Sequence, residues 1–170
     1  VTHDSVDHLV VLTDLPQSSV GAPIPHALLS EESVRLLYLA EVVDPSWDGT
    51  TVRVVDASSA EPIVVVTFER PYWTSLGPPN DEAIAGHPLA DHGLEPYTAY
   101  VVERSSWLAE LTRRNQVHPY HLSESFERLQ HYAIVFHDST FECVAEGFGF
   151  EVRRGSSMRV VLRDLLDSGG

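Results

Sequence analysis

Lysine is missing from this chain. All eleven basic residues are arginine, so Schiff-base catalysis, covalent attachment of pyridoxal phosphate and a phosphate-loop lysine are excluded, since each needs an amine. Cysteine occurs once, at Cys143, which excludes an internal disulfide and any multi-cysteine zinc or iron–sulfur site. No run approaches the ~20 apolar residues of a membrane span, and no charged-then-apolar leader is read at the start, so the expected compartment is the cytoplasm. Positive charge is scarce as well. The formal net charge is −14, which argues against nucleic-acid and anionic-membrane partners, whose affinity comes largely from basic side chains. A charge of this sign serves solubility, or steers a basic partner.

Familiar chemical signatures are lacking too. There is no Gly-x-Ser-x-Gly elbow and no Gly-x-Gly-x-x-Gly dinucleotide loop. Asp44-Pro45-Ser46-Trp47-Asp48-Gly49 echoes the start of a calcium loop, but Val55 stands where a bidentate acid is required, and the stretch reads as a turn. His118 and His121 have a spacing seen in metal sites. Pro119 breaks helical geometry between them, and a third ligand would have to come from His87, Asp91 or His92. No metal and no cofactor are assigned.

What is present is 170 residues with 43% hydrophobic content, enough for one sizeable core and short for two. A single domain over 1–170 is expected. Strand-like runs are read at His8 to Thr13, Val34 to Val43, Thr51 to Asp56, Ile63 to Arg70 and Tyr97 to Glu103. Leu36, Tyr38, Ala40 and Val42 share one face of the second run, and Leu37 with Leu39 on the other face implies burial on both sides. Pro71 to Pro96 is a long connection, of the kind that is functional or disordered. A helix is predicted from Ser106, its cap, to about Asn115, with Trp107, Leu108 and Leu111 inward. A helical turn follows at Ser123 to Leu129. Ser156 to Leu166 is an amphipathic helix with Met158, Val161, Leu162, Leu165 and Leu166 on one stripe. The fold class expected is α+β: a curved or barrel-like antiparallel sheet of six to seven strands with two to three helices.

The stretch from Gln130 to Phe148 carries the most chemistry. His131 to His137 and Thr140 to Phe148 are apolar, aromatic and β-branched, and Asp138-Ser139 are turn formers. A two-residue loop pairs His137 with Thr140, Ile134 with Cys143 and His131 with Glu146. Tyr132, Ile134, Phe136, Phe141, Cys143 and Ala145 then share a core face, with Cys143 buried there as a small apolar residue. The opposite face carries His131, His137, Glu142 and Glu146. On this register the two histidines stand roughly 20 Å apart, which excludes one metal held by both. Gly147-Phe148-Gly149 reads as a bulge or bend in the second arm.

A carboxylate beside an imidazole fixes its tautomer, an arrangement that acid/base chemistry exploits. The same residues also suit a half-solvated sheet face with ordinary cross-strand pairs. The functional expectation is a small-molecule pocket between a curved sheet and the 71–96 loop, with cofactor-independent acid/base chemistry as its catalytic form. His137 is then the acid/base and Glu142 its orienting partner, with His131 and Glu146 as the second pair. His87, Trp73, Trp107 and Tyr132 are the candidate ligand-binding residues, and Trp47 is a further candidate wall. The alternative is a non-catalytic acidic inhibitor or immunity-like partner of a basic protein. The two differ in clustering: a pocket gathers histidines and acids, whereas an inhibitor gathers acids on a convex face and scatters its histidines. No oligomeric state is assigned.

Overall fold

Alternating apolar residues and β-branched runs give nine strands in the computed structural model, which describes residues 6–42, 56, 58 and 61–167. They are β1 (His8–Val11), β2 (His26–Leu29), β3 (Val34–Leu39), β4 (Ile63–Glu69), β5 (Trp73–Gly77), β6 (Ala99–Glu103), β7 (Gln130–Val135), β8 (Thr140–Ala145) and β9 (Gly147–Arg153). Helices α1 (Ser106–Asn115), α2 (Ser123–Glu127) and α3 (Met158–Asp167) accompany them, with 3₁₀ turns at Asp81–Gly86 and Ala90–His92. The expected turn at 44–49, with Trp47, and the expected strand at 51–56, apart from Asp56, lie outside the described residues. Among the described residues no helix is long and apolar enough to cross a membrane.

The protein is α+β and its sheets are antiparallel, as expected. The strands form two sheets, ordered β1-β6-β7-β8-β5 and β2-β3-β4-β9, and neither closes into a barrel. The division arises at Glu146. Rather than bulging and continuing the hairpin, the chain leaves β8 there and enters β9, whose Gly147 pairs with Glu69 on β4. β5 is an edge strand within the long connection, paired to β8. Pro71 before it, and its own Ser75 and Gly77, give it little strand signal.

The inner faces of the two sheets meet in one core. Leu36, Tyr38, Val64, Val66 and Phe68 come from one side, and Tyr132, Ile134, Phe136, Phe141 and Cys143 from the other. Phe68 lies 5.3 Å from Phe141 and 5.6 Å from Tyr132 between ring centroids, in tilted arrangements that aromatic rings favour. β3 is buried on both faces: Leu37 and Leu39 point outward and join Ile63, Val65, Met158, Val161 and Leu165 beneath α3. Leu166 of the predicted stripe is 65% exposed instead. Burial pushes the Cys143 thiol up to about 11, so it is an inert core group.

The outer face of the five-stranded sheet is covered differently. Tyr100, Val102, Ala133 and Val135 lie beneath Leu89 and Leu94 of the 3₁₀-turn segment. α1 is capped by Ser105 rather than Ser106, its hydroxyl accepting the Leu108 N–H at 3.0 Å. Ser106 instead donates its N–H and its hydroxyl to the two oxygens of Asp7, at 2.6 and 2.7 Å.

Phe141 contacts the aromatic cluster from the centre of the interface between the sheets. Phe141→Ala is therefore expected to cost about 3–5 kcal/mol, whereas Leu166→Ala should stay within about 0.5 kcal/mol. Urea unfolding of the two variants checks this; equal losses would place the core elsewhere.

Candidate functional site

The β7–β8 hairpin sets the site. Val135 pairs with Thr140, Ala133 with Glu142 and His131 with Val144, so the loop spans four residues rather than two. The register moves by two residues from the expected one, which keeps every side chain on its expected face but changes the partners. Tertiary contacts take His137 out of the ladder: its carbonyl accepts the Asp81 N–H at 3.0 Å, while Thr140 Oγ1 donates to the Pro79 carbonyl at 3.0 Å.

His131 consequently faces Glu142, not Glu146. Its Nε2 lies 3.1 Å from Glu142 Oε1, and its Nδ1 lies 2.8 Å from Ser105 Oγ. The hydrogen-bonding pattern fixes the tautomer. Ser105 Oγ already accepts the Leu108 N–H, so its own proton is available for His131 Nδ1, and Nε2–H is left to face the carboxylate. His87 arrives from the 3₁₀-turn segment, with Nε2 3.6 Å from Glu142 Oε2. His87 Nδ1 accepts the Leu89 N–H at 3.1 Å, so its proton too lies on Nε2. Two imidazoles thus present N–H groups to the two oxygens of one carboxylate.

His131 and His87 are buried, and the Glu142 side chain is 19% exposed. Burial works to raise the Glu142 carboxyl, but the hydrogen bond from His131, the approach of His87 and their charge outweigh it and hold the pKa at about 2. The cluster opens on a cavity of about 410 Å³ walled by Trp73, Pro88, Leu89, Trp107, Glu110 and Glu142. Trp73 and Trp107 meet edge-to-face at 5.0 Å, and the Arg114 guanidinium stands 5.1 Å from the centroid of Trp107. The Trp107 Nε1–H is buried without a hydrogen-bond partner.

The other predicted residues stand apart. His137 joins Asp81 and Tyr97: its Nδ1 is 2.9 Å from Asp81 Oδ2 and 3.0 Å from the Tyr97 hydroxyl, which itself donates to Asp81 Oδ2. Glu146, at the passage between sheets, pairs with Arg70 and Arg128 at 3.3 and 3.2 Å. Tyr132 is on the inner sheet face, packed on Phe68 and Phe148, and does not line the cavity. His118 and His121 lie in the turns after α1, where His118 Nδ1 accepts the Tyr120 N–H and His121 Nδ1 lies 2.9 Å from Asn115 Oδ1. Among the described residues no three His, Cys, Asp or Glu are grouped to hold a metal ion.

Ser105, Asp81 and Tyr97 were not among the residues read from the sequence. Asp81 and Tyr97 lie 56 and 40 residues from His137, and nothing local marks that meeting. Ser105 did carry a signal, as the residue opening a helix, but Ser106 beside it carries the same one. Comparison with protein-family models, curated proteins and solved structures finds no match, so geometry alone carries the functional reading.

Two expectations follow. Glu142→Gln sets an amide donor against an imidazole N–H, so a loss of about 1–3 kcal/mol is expected in urea at neutral pH. The folded carboxyl lies below its ordinary 4.5, so its contribution is full above about 4.5 and is lost as pH falls toward about 2. The wild type should accordingly lose stability faster than Glu142→Gln across that interval; parallel curves would refute it.

The hydrogen bond to Asp81, then its charge, raises the His137 pKa above 6.5, while bonds from Tyr97 and His137 lower Asp81 below 3.8. The His137 contribution is full below 6.5 and is lost as pH rises through the raised value; that of Asp81 is full above 3.8 and is lost on acidification. The contact is therefore strongest between those values. NMR titration should find His137 above the ordinary range and returned toward it by Asp81→Asn; an unmoved His137 would separate the two groups.

Proposed function

We propose that the protein binds a small molecule in the cavity between the outer face of the five-stranded sheet, the 71–96 segment and α1. The observation carrying this reading is that Glu142, held by His131 and approached by His87, opens on a concave site of about 410 Å³ with two tryptophans in its wall. That size is within the range of small-ligand pockets, where a few placed polar groups in an apolar wall fix orientation. His131 and His87 share one carboxylate at the cavity, while His8 and His118 lie outside it, on Glu103 and against Tyr120.

The catalytic form of this reading is cofactor-independent proton transfer. It has less support than binding, because both nitrogens of His131 are engaged, one by Glu142 and the other by Ser105. His137, the first choice from sequence, closes the loop ends instead and is 44% exposed. Glu142 is held too firmly as a carboxylate to serve as the base at neutral pH.

A protein-observed NMR fragment screen tests the pocket. Hits are expected to shift the indole N–H signals of Trp73 and Trp107 and the His131 ring, and to lose at least about tenfold in affinity in Trp73→Ala, because aromatic faces supply much of a pocket's contact area. Hits that map to other surfaces, or that ignore Trp73→Ala, would refute the reading.

A second reading, an acidic interaction protein, draws on one observation. Val117, Tyr120 and Leu122 are 89%, 82% and 67% exposed, at or beside a cleft lined by Glu31, Glu32, Glu146, Arg70 and Arg128. Contiguous exposed apolar groups rimmed by charge suit a protein partner, and the net charge would steer a basic one.

A further inference from the structure

The cavity at Glu142 has a definite chemical bias. Its walls contribute two carboxylates, from Glu142 and Glu110, and no arginine. A carboxylate offers about four lone-pair sites, and the imidazoles of His131 and His87 engage one on each oxygen of Glu142. Acceptor capacity therefore remains on a partly buried anion. Glu110 is held by Arg113 and Arg114 at 2.7 and 2.8 Å, so Glu142 is the carboxylate left for a ligand.

The tryptophans point the same way. An indole face attracts a cation through its quadrupole, the more so where water is excluded. Trp107 already does this within the molecule, carrying the Arg114 guanidinium 5.1 Å from its centroid. Trp73 stands at 71° to it and contributes a second aromatic wall. The protein as a whole, at −14, draws cations toward its clefts and repels anions. Pro88 and Leu89 give the rest of the wall an apolar character suited to a hydrocarbon body.

We propose that the ligand of this cavity is an organic cation, a protonated primary amine on an aromatic or aliphatic body, with its ammonium on Glu142 and its body against Trp73 and Trp107. This rests on the pocket reading above and adds the charge class of the ligand. A primary ammonium fits better than a quaternary one, because it has N–H groups to donate to the free lone pairs of Glu142. A carboxylate ligand would meet the charge of Glu142 at close range and is excluded.

Tryptophan fluorescence titration at neutral pH with three probes of one shape tests this: phenethylammonium, 2-phenylethanol and phenylacetate. The ammonium is expected to bind at least about tenfold more tightly than the alcohol, in line with a charged hydrogen bond to Glu142. Phenylacetate is expected to be weakest. In Glu142→Gln the preference for ammonium over alcohol should fall to within about threefold, because the charge that favours the ammonium is removed. The wild-type comparison is decisive whether or not that variant folds. Equal or tighter binding of the alcohol would overturn the cation assignment and leave the pocket standing. Absence of binding by all three probes at millimolar concentration, with the indole N–H signals of Trp73 and Trp107 unmoved, would overturn both.

Discussion

A carboxylate cannot be taken out of water beside a sheet face unless something replaces its hydration. Much of one side of this protein answers that demand at Glu142. β8 carries the group, β7 supplies His131 and the 3₁₀-turn segment supplies His87. His131 must keep its proton on Nε2 to donate, so its other nitrogen needs a donor, and Ser105 provides it. Ser105 is also the cap of α1, and the next residue holds Asp7 of the chain's beginning. The β7–β8 hairpin, the 3₁₀-turn segment and the start of α1 are thereby set around one negative charge. Removing any partner leaves a buried charge or a buried imidazole unsatisfied, which is why such a chain of contacts orders the region beyond the strength of any single bond.

The two outer faces of the sandwich show what this arrangement costs in apolar cover. Beneath α3 the outer face of the four-stranded sheet is closed by Met158, Val161 and Leu165, which pack on Leu37, Leu39, Ile63 and Val65. Over the five-stranded sheet, Leu89 and Leu94 close the part near Val135, and the part near Glu142 stays open as a cavity. The segment that roofs this cavity is tied at both ends by one contact: Asp81 at its start and Tyr97 at its end both meet His137. His87 lies between those ties. The roof over the cavity and the second imidazole near Glu142 are therefore held by the same few side chains.

Parity explains what was legible in the sequence. The inward set Tyr132, Ile134, Phe136, Phe141 and Cys143 follows from alternation alone, and a register two residues off leaves it untouched. The double burial of β3 and the stripe of α3 were legible for the same reason, through Leu37 with Leu39 and Met158 with Val161. Partners were not, because a pair depends on loop length, and here the loop is drawn open by the 79–81 segment. Hence Glu146, expected opposite His131, pairs with Arg70 and Arg128, and Glu142, expected beside His137, receives His131 and His87. β5 and the change of sheet at Glu146 lacked local signals: Ser75 and the glycines at 77, 147 and 149 are weak strand formers held by pairing with β8 and β4.

Ser105, His131 and Glu142 follow one another in the order of a nucleophile, a base and an orienting acid, which invites a hydrolytic reading. Two features of the geometry oppose it. The Ser105 hydroxyl is 6% exposed and caps α1 by accepting the Leu108 N–H, so attack would remove the cap from the helix that positions it. The neighbouring backbone N–H, that of Ser106, is occupied by the Asp7 carboxylate, where a developing oxyanion would need it free. Ser105 is better understood as the group that sets the His131 tautomer. The group that opens on the cavity lies at the other end of the relay, in the Glu142 carboxylate, beside the wall that Trp73 and Trp107 form.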